Sequence, residues 1–265
     1  MTRFIVVPQW QGSPSSRAMR LAEGAELLRA DLPSQATVTV PVPLEAGDDE
    51  GTGIARYSSL RIVRDRVAEA LASSDEPAVI VGGDCAVAAA GIDHAARQPG
   101  RLAVVWLDAH PDLNTPASSP SAAFAGMVLR TLVDEGAIAA DQIVLAGTRS
   151  WDADEEGFAR DHGIRSLTAA DLDAPGALAD AVAATGAERV FVHLDLDVLD
   201  PGSLASLLAP EPFGAAPAAV ADSIRAVLAA VPLAGASLAA FAPGSPADAV
   251  DDAPTVLRMI AALTA

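Results

Sequence analysis

Short runs of apolar, often β-branched residues alternate along the chain with longer stretches in which apolar residues recur at helical spacing. The short runs predict buried strands at Phe4–Val7, Thr37–Val42, Ala78–Val81, Leu102–Leu107, Ile143–Ala146, Val190–Leu194 and Ser237–Phe241. The longer stretches predict helices at Ser16–Leu32, Tyr57–Ala72, Cys85–Arg97, Asp152–Asp161, Ala174–Thr185, Pro217–Ala230 and Ala253–Leu263. Strands and helices are therefore expected to alternate.

Most of the predicted strands are continuously apolar, which is typical of strands that are buried on both faces. Strands that alternate with helices favour a parallel sheet covered by helices on each side. We therefore expect an α/β fold with a central, mainly parallel sheet. Because no long linker interrupts the chain, we expect a single domain over residues 1–265. In such sheets ligands bind at the carboxyl ends of the strands.

Two of the predicted strands run directly into acidic clusters. The stretches VVWLDAHPDLNTP and VFVHLDLDVLDPG carry, respectively, Asp108, His110 and Asp112, and Asp195, Asp197 and Asp200. Residues two apart on a strand point the same way, and carboxylates held close together repel one another unless a cation lies between them. Oxygen ligands with one imidazole suit Mn²⁺, and Zn²⁺ or Fe²⁺ less specifically. The clusters therefore predict a metal site, against the alternative that single acidic residues after a strand cap helices.

Composition narrows the possible functions. Hydrophobic residues make up 51% of the 265 residues, which is enough for a sizeable core. The formal net charge is −18, with only 17 basic residues, which argues against binding to nucleic acid or to an anionic membrane surface. Cys85 is the only cysteine, which excludes an intramolecular disulfide. We predict no signal peptide and no membrane span, and expect a cytoplasmic protein.

Three motifs resemble the signatures of the ureohydrolase superfamily, which comprises arginases, agmatinases and formiminoglutamases. DAHPDLN is similar to the family pattern Asp-Ala-His-X-Asp, and HLDLDVLDP is similar to Asp-X-Asp-X-X-Asp-Pro. VGGDCAVAAAG resembles the earlier Gly-Gly-Asp-His motif, and all three occur in family order. The resemblance implies a three-layer α/β/α domain, two Mn²⁺ ions, hydrolysis of a guanidino, amidino or formimino C–N bond, and a homotrimer or hexamer.

The resemblance also implies the metal ligands. It assigns one ion to Asp108, His110, Asp195 and Asp197. It assigns the other ion to Asp108, Asp112, Asp195 and the residue at position 85. Asp108 and Asp195 would hold the metal-bridging hydroxide that attacks the substrate carbon. The resemblance thus implies one binuclear centre built from both strand ends.

Three further positions belong to this expected centre or its surroundings. The family usually has a histidine where this chain has Cys85; a thiolate ligand prefers Zn²⁺ or Fe²⁺ to Mn²⁺, and the alternative is a buried thiol that binds no metal. Asp200 is expected to bond backbone or a ligand rather than metal. His193 shares a strand face with Asp195 and would hydrogen-bond a ligand, unless it serves core packing alone.

Two replacements alter the expected catalytic machinery. In SPSAAFAGMVL, Ala125 stands where arginase-like enzymes have a histidine that shuttles protons. In SLAAFAPGS, alignment on Pro243 places Ala240 where the family has a glutamate that pairs with the substrate guanidinium. The expected reaction therefore lacks a proton shuttle and a bidentate partner for a planar cation.

Other positions on the substrate side match. Asn114 and Ser121 correspond to arginase positions that hold the amino-acid end of the substrate, and Asp152 and Glu155 fall where acids face the substrate amino group. The alternatives are a turn residue at Asn114 and an acidic first helical turn at Asp152 and Glu155.

Three hypotheses follow. The first is a metal-dependent C–N hydrolase of the ureohydrolase type that acts on a small guanidino or formimino substrate other than plain arginine. The second is a catalytically impaired member that serves as a metal-stabilised small-molecule binding protein. The third, a phosphoesterase with two metals, is disfavoured because the chain has only 4 histidines.

Overall fold

The strands of the protein form one parallel sheet. A computed structural model describes residues 2–74 and 76–265. In chain order the strands β1 to β8 are Arg3–Val6, Thr37–Thr39, Ala78–Val81, Leu102–Leu107, Ile143–Ala146, Arg165–Leu167, Arg189–Asp195 and Leu233–Ala239. They pair in the order β2-β1-β3-β8-β7-β4-β5-β6, and every pair is parallel. The predicted parallel α/β sheet is confirmed.

Helices cover both faces of the sheet. In chain order the helices α1 to α8 are Met19–Asp31, Tyr57–Ala72, Ala88–Ala96, Val128–Asp134, Ala153–Asp161, Pro175–Ala183, Pro217–Ala230 and Pro246–Leu263. Helices α1, α6, α7 and α8 pack on one face, and α2, α3, α4 and α5 pack on the other. The fold is the expected three-layer α/β/α arrangement. No helix within the described ranges is long and apolar enough to cross a bilayer.

The strands are continuously apolar because each one contributes to two cores. In β4, Val104 and Trp106 belong to the cluster under α3 and α4, whereas Val105 and Leu107 belong to the cluster under α6 and α7. All residues of β3, β4 and β5 are buried. Burial of apolar surface on both sides fixes the central strands and leaves their polar carboxyl ends at one edge.

Several predicted element boundaries are wrong. The last strand runs over Leu233–Ala239 rather than Ser237–Phe241, and the last helix begins at Pro246 rather than Ala253. The Oγ of Ser245 accepts a hydrogen bond from the Asp248 N–H and caps that helix, which then continues through Pro254. The predicted helix from Cys85 begins instead with a 3₁₀ turn. Strand β6 and helix α4 were not predicted.

Candidate metal centre

The two acidic strand ends lie side by side. Strands β4 and β7 pair in parallel, with Leu107 opposite Leu194, so Asp108 and Asp195 follow at neighbouring positions. The Oδ1 of Asp197 accepts a hydrogen bond of 2.9 Å from the N–H of Ala109 and ties the two strand ends together. The predicted meeting of the clusters thus follows from the register of two central strands.

One histidine lies between the carboxylates. The Nδ1 of His110 is 2.9 Å from the Oδ2 of Asp197 and 3.4 Å from the Oδ1 of Asp108. Its Nε2 is 3.8 Å from the Oε1 of Glu211, which lies on the loop between β7 and α7. This arrangement leaves one ring nitrogen facing the acidic cluster and the other facing a carboxylate at its rim.

The side chain at position 85 lies inside the same cluster. Cys85 follows β3 in a 3₁₀ turn, and its Sγ donates a hydrogen bond of 3.0 Å to the Oδ2 of Asp195. The Oδ2 of Asp108 lies 3.8 Å from the same sulfur. The carboxylate of Asp84, one residue earlier, instead accepts hydrogen bonds from Gln9 and from the Gly12 N–H.

His193 lies beneath the cluster in the centre of the sheet. It is paired between Trp106 on β4 and Ser237 on β8. Its ring stacks on Trp106 with centroids 3.7 Å apart, and its Nδ1 is 2.8 Å from the Oγ of Ser237. Its Nε2 is buried without a hydrogen-bond partner, 4.0 Å from the Oδ2 of Asp108.

Asp112 and Asp200 complete the acidic residues of the two motifs. Asp112 has a positive φ of 51°, is 4% exposed, and has a buried Oδ2 without a partner. Asp200 accepts hydrogen bonds from the N–H groups of Gly202 and Gly214, so its carboxylate holds backbone.

The buried acidic groups of the cluster are unfavourable in their charged forms when no cation is bound. Burial and neighbouring carboxylates raise the pKa of Asp195 to about 8 and that of Asp197 to about 6. The same causes raise the pKa of Asp112 and of the Cys85 thiol well above their usual values. Burial opposes protonation of His110, but hydrogen bonds to the two carboxylates beside it raise its pKa to about 12.

The donor set fits a divalent cation. In residues 2–74 and 76–265, no arginine forms an ion pair with the carboxylates of the two motifs, and the chain contains no lysine. The donor atoms form two groups, and within each group they all lie within 4.8 Å of one another. The first group belongs to Cys85, Asp108, His193 and Asp195, and the second to Asp108, His110 and Asp197. Buried charges of one sign and buried atoms without partners are the features that bound metal relieves.

A cavity of about 260 Å³ opens above the cluster. Its floor includes Cys85, His110, Asp112, Asp195 and Asp197. Its apolar wall includes Leu21, Leu208 and Ala240. Leu21 belongs to a small buried apolar cluster, and Leu208 and Ala240 pack against that cluster. The cavity therefore offers an acidic floor and a wall without charge.

The predicted substrate-side residues also line this cavity. The Nδ2 of Asn114 donates a hydrogen bond of 2.9 Å to the Oδ2 of Asp152. Both oxygens of Glu155 accept backbone N–H groups, from Leu113 and from Asp152. Ser121 lies at the exposed rim. Asn114 and Asp152 thus form a hydrogen-bonded polar pair. Glu155 instead fixes the backbone at Leu113 and at Asp152.

One residue that sequence reasoning missed connects these parts. The guanidinium of Arg149 donates hydrogen bonds to the carbonyl oxygens of Gly147, Asp197, Glu211 and Pro212. It thereby holds the turn after β7 and the loop that carries Glu211. No motif signals this role, because its partners are backbone atoms of distant segments.

Comparisons with known proteins agree with one another. A family model described as "Arginase family" matches residues 17–262. The N(omega)-hydroxy-L-arginine amidinohydrolase of Streptomyces lavendulae is 32% identical over 95% of this chain and 94% of its own length. An arginase of Staphylococcus aureus strain COL is 30% identical over 72% of this chain and 70% of its own length.

Solved structures share the fold. The arginase of Entamoeba histolytica, solved in complex with L-ornithine, has a TM-score of 0.87 at 21% identity and covers 100% of this chain and 99% of its own. The formimidoylglutamase of Bacillus subtilis has a TM-score of 0.81 at 18% identity and covers 99% of this chain and 86% of its own. These two likenesses establish the three-layer architecture.

Proposed function

Because the chain belongs to the arginase family, we propose that it is a metal-dependent hydrolase that cleaves a linear C–N bond in a small guanidino, amidino or formimino compound. The observation that carries the proposal is the meeting of two acidic strand ends, without an arginine partner in the described chain, beneath a cavity of about 260 Å³. Such a floor attracts cations, and the cavity has room for a small substrate.

We assign one ion to Asp108, His110, Asp195 and Asp197, as the family resemblance implies, with Mn²⁺ as the expected metal because these ligands are oxygen atoms and one imidazole. A divalent ion supplies Lewis acidity and makes a water molecule a nucleophile at neutral pH. The carboxylates hold the site, and the Oε1 of Glu211 lies 3.8 Å from the Nε2 of His110, at the rim of the cluster. Asp112 lies on the same floor, and the family resemblance implies it as a ligand of the other ion.

The polar side of the cavity fits the amino-acid end of a substrate. Asp152 offers a carboxylate to an ammonium group, and its hydrogen bond from Asn114 fixes that carboxylate. Ser121 at the rim offers a hydroxyl to the substrate carboxylate. Glu155 is excluded from direct contact in this proposal, because both of its oxygens already accept backbone N–H groups.

The apolar wall selects the reacting group. Ala240 stands where the family resemblance places a glutamate, so on this wall a guanidinium cation would meet Ala240 and Leu208 and no carboxylate that could bind it in a bidentate manner. Burial of N–H groups of a cation without hydrogen-bond partners is costly. A reacting group that is less basic than guanidinium, such as an N-hydroxyguanidine or a formimino group, avoids this cost. The full-length similarity to an N(omega)-hydroxy-L-arginine amidinohydrolase supports this choice.

The test is turnover of matched substrates by the metal-loaded protein. N-hydroxy-L-arginine, L-arginine and formiminoglutamate are compared by release of hydroxyurea, urea or formamide. We expect the highest kcat/KM for a less basic substrate. A clear preference for L-arginine would contradict the assignment of the wall, and no turnover with any compound, metal or pH would contradict the proposed reaction.

A second candidate function is a metal-stabilised binding protein. Ala125 favours it, because its side chain cannot move protons and a missing general acid commonly costs about 10²–10⁴ in rate. This candidate predicts that the same compounds bind, as measured by calorimetry, without any product.

We also propose a homotrimer or hexamer, which the resemblance implies, and a cytoplasmic location without nucleic-acid or membrane partners, which the net charge of −18 favours. Light scattering of the purified protein measures the oligomer. A monomer at micromolar concentration would contradict that part of the proposal.

A further inference from the structure

We propose that Cys85, Asp108, His193 and Asp195 form a second metal site of mixed sulfur, nitrogen and oxygen donors, which takes a borderline-soft divalent cation such as Zn²⁺ or Fe²⁺. The ligand set differs from the one that the family resemblance implies, in which Asp112 rather than His193 completes this site. The inference rests on the proposed function only in placing metal at this edge of the sheet, and it is tested without measuring hydrolysis.

The donor atoms are already gathered. All four lie within 4.8 Å of one another, whereas the carboxylate of Asp112 is not part of this group. The Sγ of Cys85 is 3.0 Å from the Oδ2 of Asp195, and the Nε2 of His193 is 4.0 Å from the Oδ2 of Asp108. Atoms that share a tetrahedral ion at bond lengths of about 2.0–2.3 Å lie about 3.3–3.8 Å apart. The wider pairs of donors therefore need to close by about 1 Å, which is within reach of side-chain rotation.

The environment of His193 is that of a metal ligand. Its side chain is 0% exposed, and its Nε2 is buried without a partner, which is costly unless the nitrogen binds something. With the proton on Nδ1, donated to the Oγ of Ser237, the lone pair of Nε2 faces the cluster. A histidine that binds metal with one nitrogen typically hydrogen-bonds a partner with the other.

The sheet fixes this imidazole in place. His193 lies on β7 between β4 and β8, and its ring stacks on the buried ring of Trp106 at 3.7 Å. Cys85 approaches the cluster from the turn after β3. The turn after β3 has Cys85 where the family usually has a histidine. The imidazole of this site therefore comes from His193 in the sheet.

The two candidate sites differ in chemistry. One contains a sulfur atom and suits softer ions, whereas Asp108, His110 and Asp197 supply only oxygen and nitrogen and suit Mn²⁺. Asp108 is common to both groups of donors, and Asp195 is assigned to both ions. The protein is therefore expected to bind two different ions rather than a matched pair.

Cobalt(II) substitution tests the proposal, because a thiolate bound to Co²⁺ gives a charge-transfer band in the near ultraviolet. The chelator-treated protein is titrated with Co²⁺, and bound metal is counted by elemental analysis. His193→Asn keeps a polar group near Ser237 but removes Nε2, Cys85→Ser removes the sulfur, and Asp112→Asn removes the competing ligand. His162→Gln, at an exposed position, is the control.

We expect two ions and a thiolate band in the unaltered protein and in the Asp112→Asn and His162→Gln variants. Cys85→Ser and His193→Asn should each lose one ion and the band, and the double variant should lose no more than either single one, because both residues serve one ion. A His193→Asn variant that keeps both ions and the band would overturn the proposal, as would an unaltered protein without a thiolate band.

A second measurement does not depend on the folding of His193→Asn. In a His110→Asn background with one equivalent of Zn²⁺, X-ray absorption should show one sulfur neighbour and one imidazole; sulfur without imidazole would overturn the proposal. The outcome is separable from the proposed function. If the protein gave these spectra but hydrolysed none of the compounds, the second metal site would be supported and the proposed function contradicted. If it were an active hydrolase without these spectra, the second metal site would be contradicted and the proposed function supported.

Discussion

At the scale of single residues, Asp195 shows how the cluster opposes folding when no metal is bound. Burial and the charge of Asp197 raise the pKa of Asp195 to about 8. Above this pH the Asp195 carboxylate is charged although it is buried beside another carboxylate, and this lowers the stability of the folded state. An amide of the same shape carries no charge. We therefore expect Asp195→Asn to stabilise the metal-free protein at pH 9 by about 1–3 kcal/mol, with a smaller gain at pH 6.

Denaturant unfolding in the presence of EDTA measures this effect. The same substitution should abolish the stabilisation by added Mn²⁺ and lower kcat/KM by more than about 100-fold, since even residues that only support ligands cost 10–100-fold. Asp161→Asn on the exposed end of α5 is the control and should change neither quantity. A destabilised metal-free variant would contradict the electrostatic account.

Ala240 tests the selection of the reacting group. Its φ of 70° lies in the left-handed region, so alanine and glutamate bear a similar backbone cost there. We expect Ala240→Glu to raise kcat/KM for L-arginine about 10–100-fold, because a charge-assisted hydrogen bond to guanidinium contributes about 1.5–3 kcal/mol. Steady-state kinetics check this, with Ala209→Glu at the rim of the cavity as the control. An equal gain in both variants would show only a general effect of charge.

The residues that the sequence revealed are those whose spacing carries information. Asp108 and His110, like Asp195 and Asp197, stand two apart at strand ends, and parallel pairing then brings them together. The role of Arg149 could not be predicted, because it depends on carbonyl oxygens that only the folded chain assembles. His193 was expected beside a ligand; the stack on Trp106 and the unpartnered Nε2 are properties of the sheet register.

At the scale of elements, the turn after β7 and the loop before α7 are held by one side chain. Arg149 donates to carbonyl oxygens of both segments, including those of Asp197 and Glu211. We expect Arg149→Ala to lower the free energy of unfolding by about 2–4 kcal/mol, because charged hydrogen bonds contribute about 1.5–3 kcal/mol each and several are lost together with incomplete additivity.

Denaturant unfolding and metal titration check this prediction. The Mn²⁺ affinity should also fall, since Asp197 loses its backbone support. The control is Arg160→Ala, an exposed arginine on α5, which should stay within about 0.5 kcal/mol of the unaltered protein. If Arg149→Ala weakened stability and left metal affinity unchanged, Arg149 would support the loop alone.

Element prediction succeeded where apolar runs were continuous and buried, and failed where they were interrupted or partly exposed. Strand β4, six buried apolar residues, has the predicted bounds. Strand β6, Arg165–Leu167, contains only three residues with partial exposure and carries no periodic signal. In β8 the sequence LAGASLA lacks β-branched residues, so only its end was recognised. The predicted last helix lacked the first turns of α8, in which PADAVDD contains several acidic residues and few large apolar ones, and Pro254 lies inside the observed helix.

At the scale of the whole molecule, the metal-free protein should become less stable as pH rises from about 6.5 to 9. In this window Asp195, with a pKa raised to about 8, and His110, with a pKa raised to about 12, bind protons in the folded state that the unfolded chain releases. His193 has the opposite sign, because burial lowers its pKa to about 3, but most of its contribution is gained below pH 6.5, the lower end of this window.

Bound metal should reverse this trend. Metal affinity rises with pH because the ligands must lose their protons. The difference in melting temperature between Mn²⁺-loaded and EDTA-treated protein is therefore expected to widen from pH 6.5 to pH 9. A metal-free protein whose stability rises over that range would contradict the assigned shifts.

The account depends on metal at the carboxyl ends of β4 and β7, and anomalous diffraction tests this most directly. Crystals grown with saturating Mn²⁺ are measured on both sides of the manganese absorption edge. We predict an anomalous peak between Asp108, His110, Asp195 and Asp197. Well-ordered carboxylates without any peak, bonded to one another or to water, would contradict the central claim.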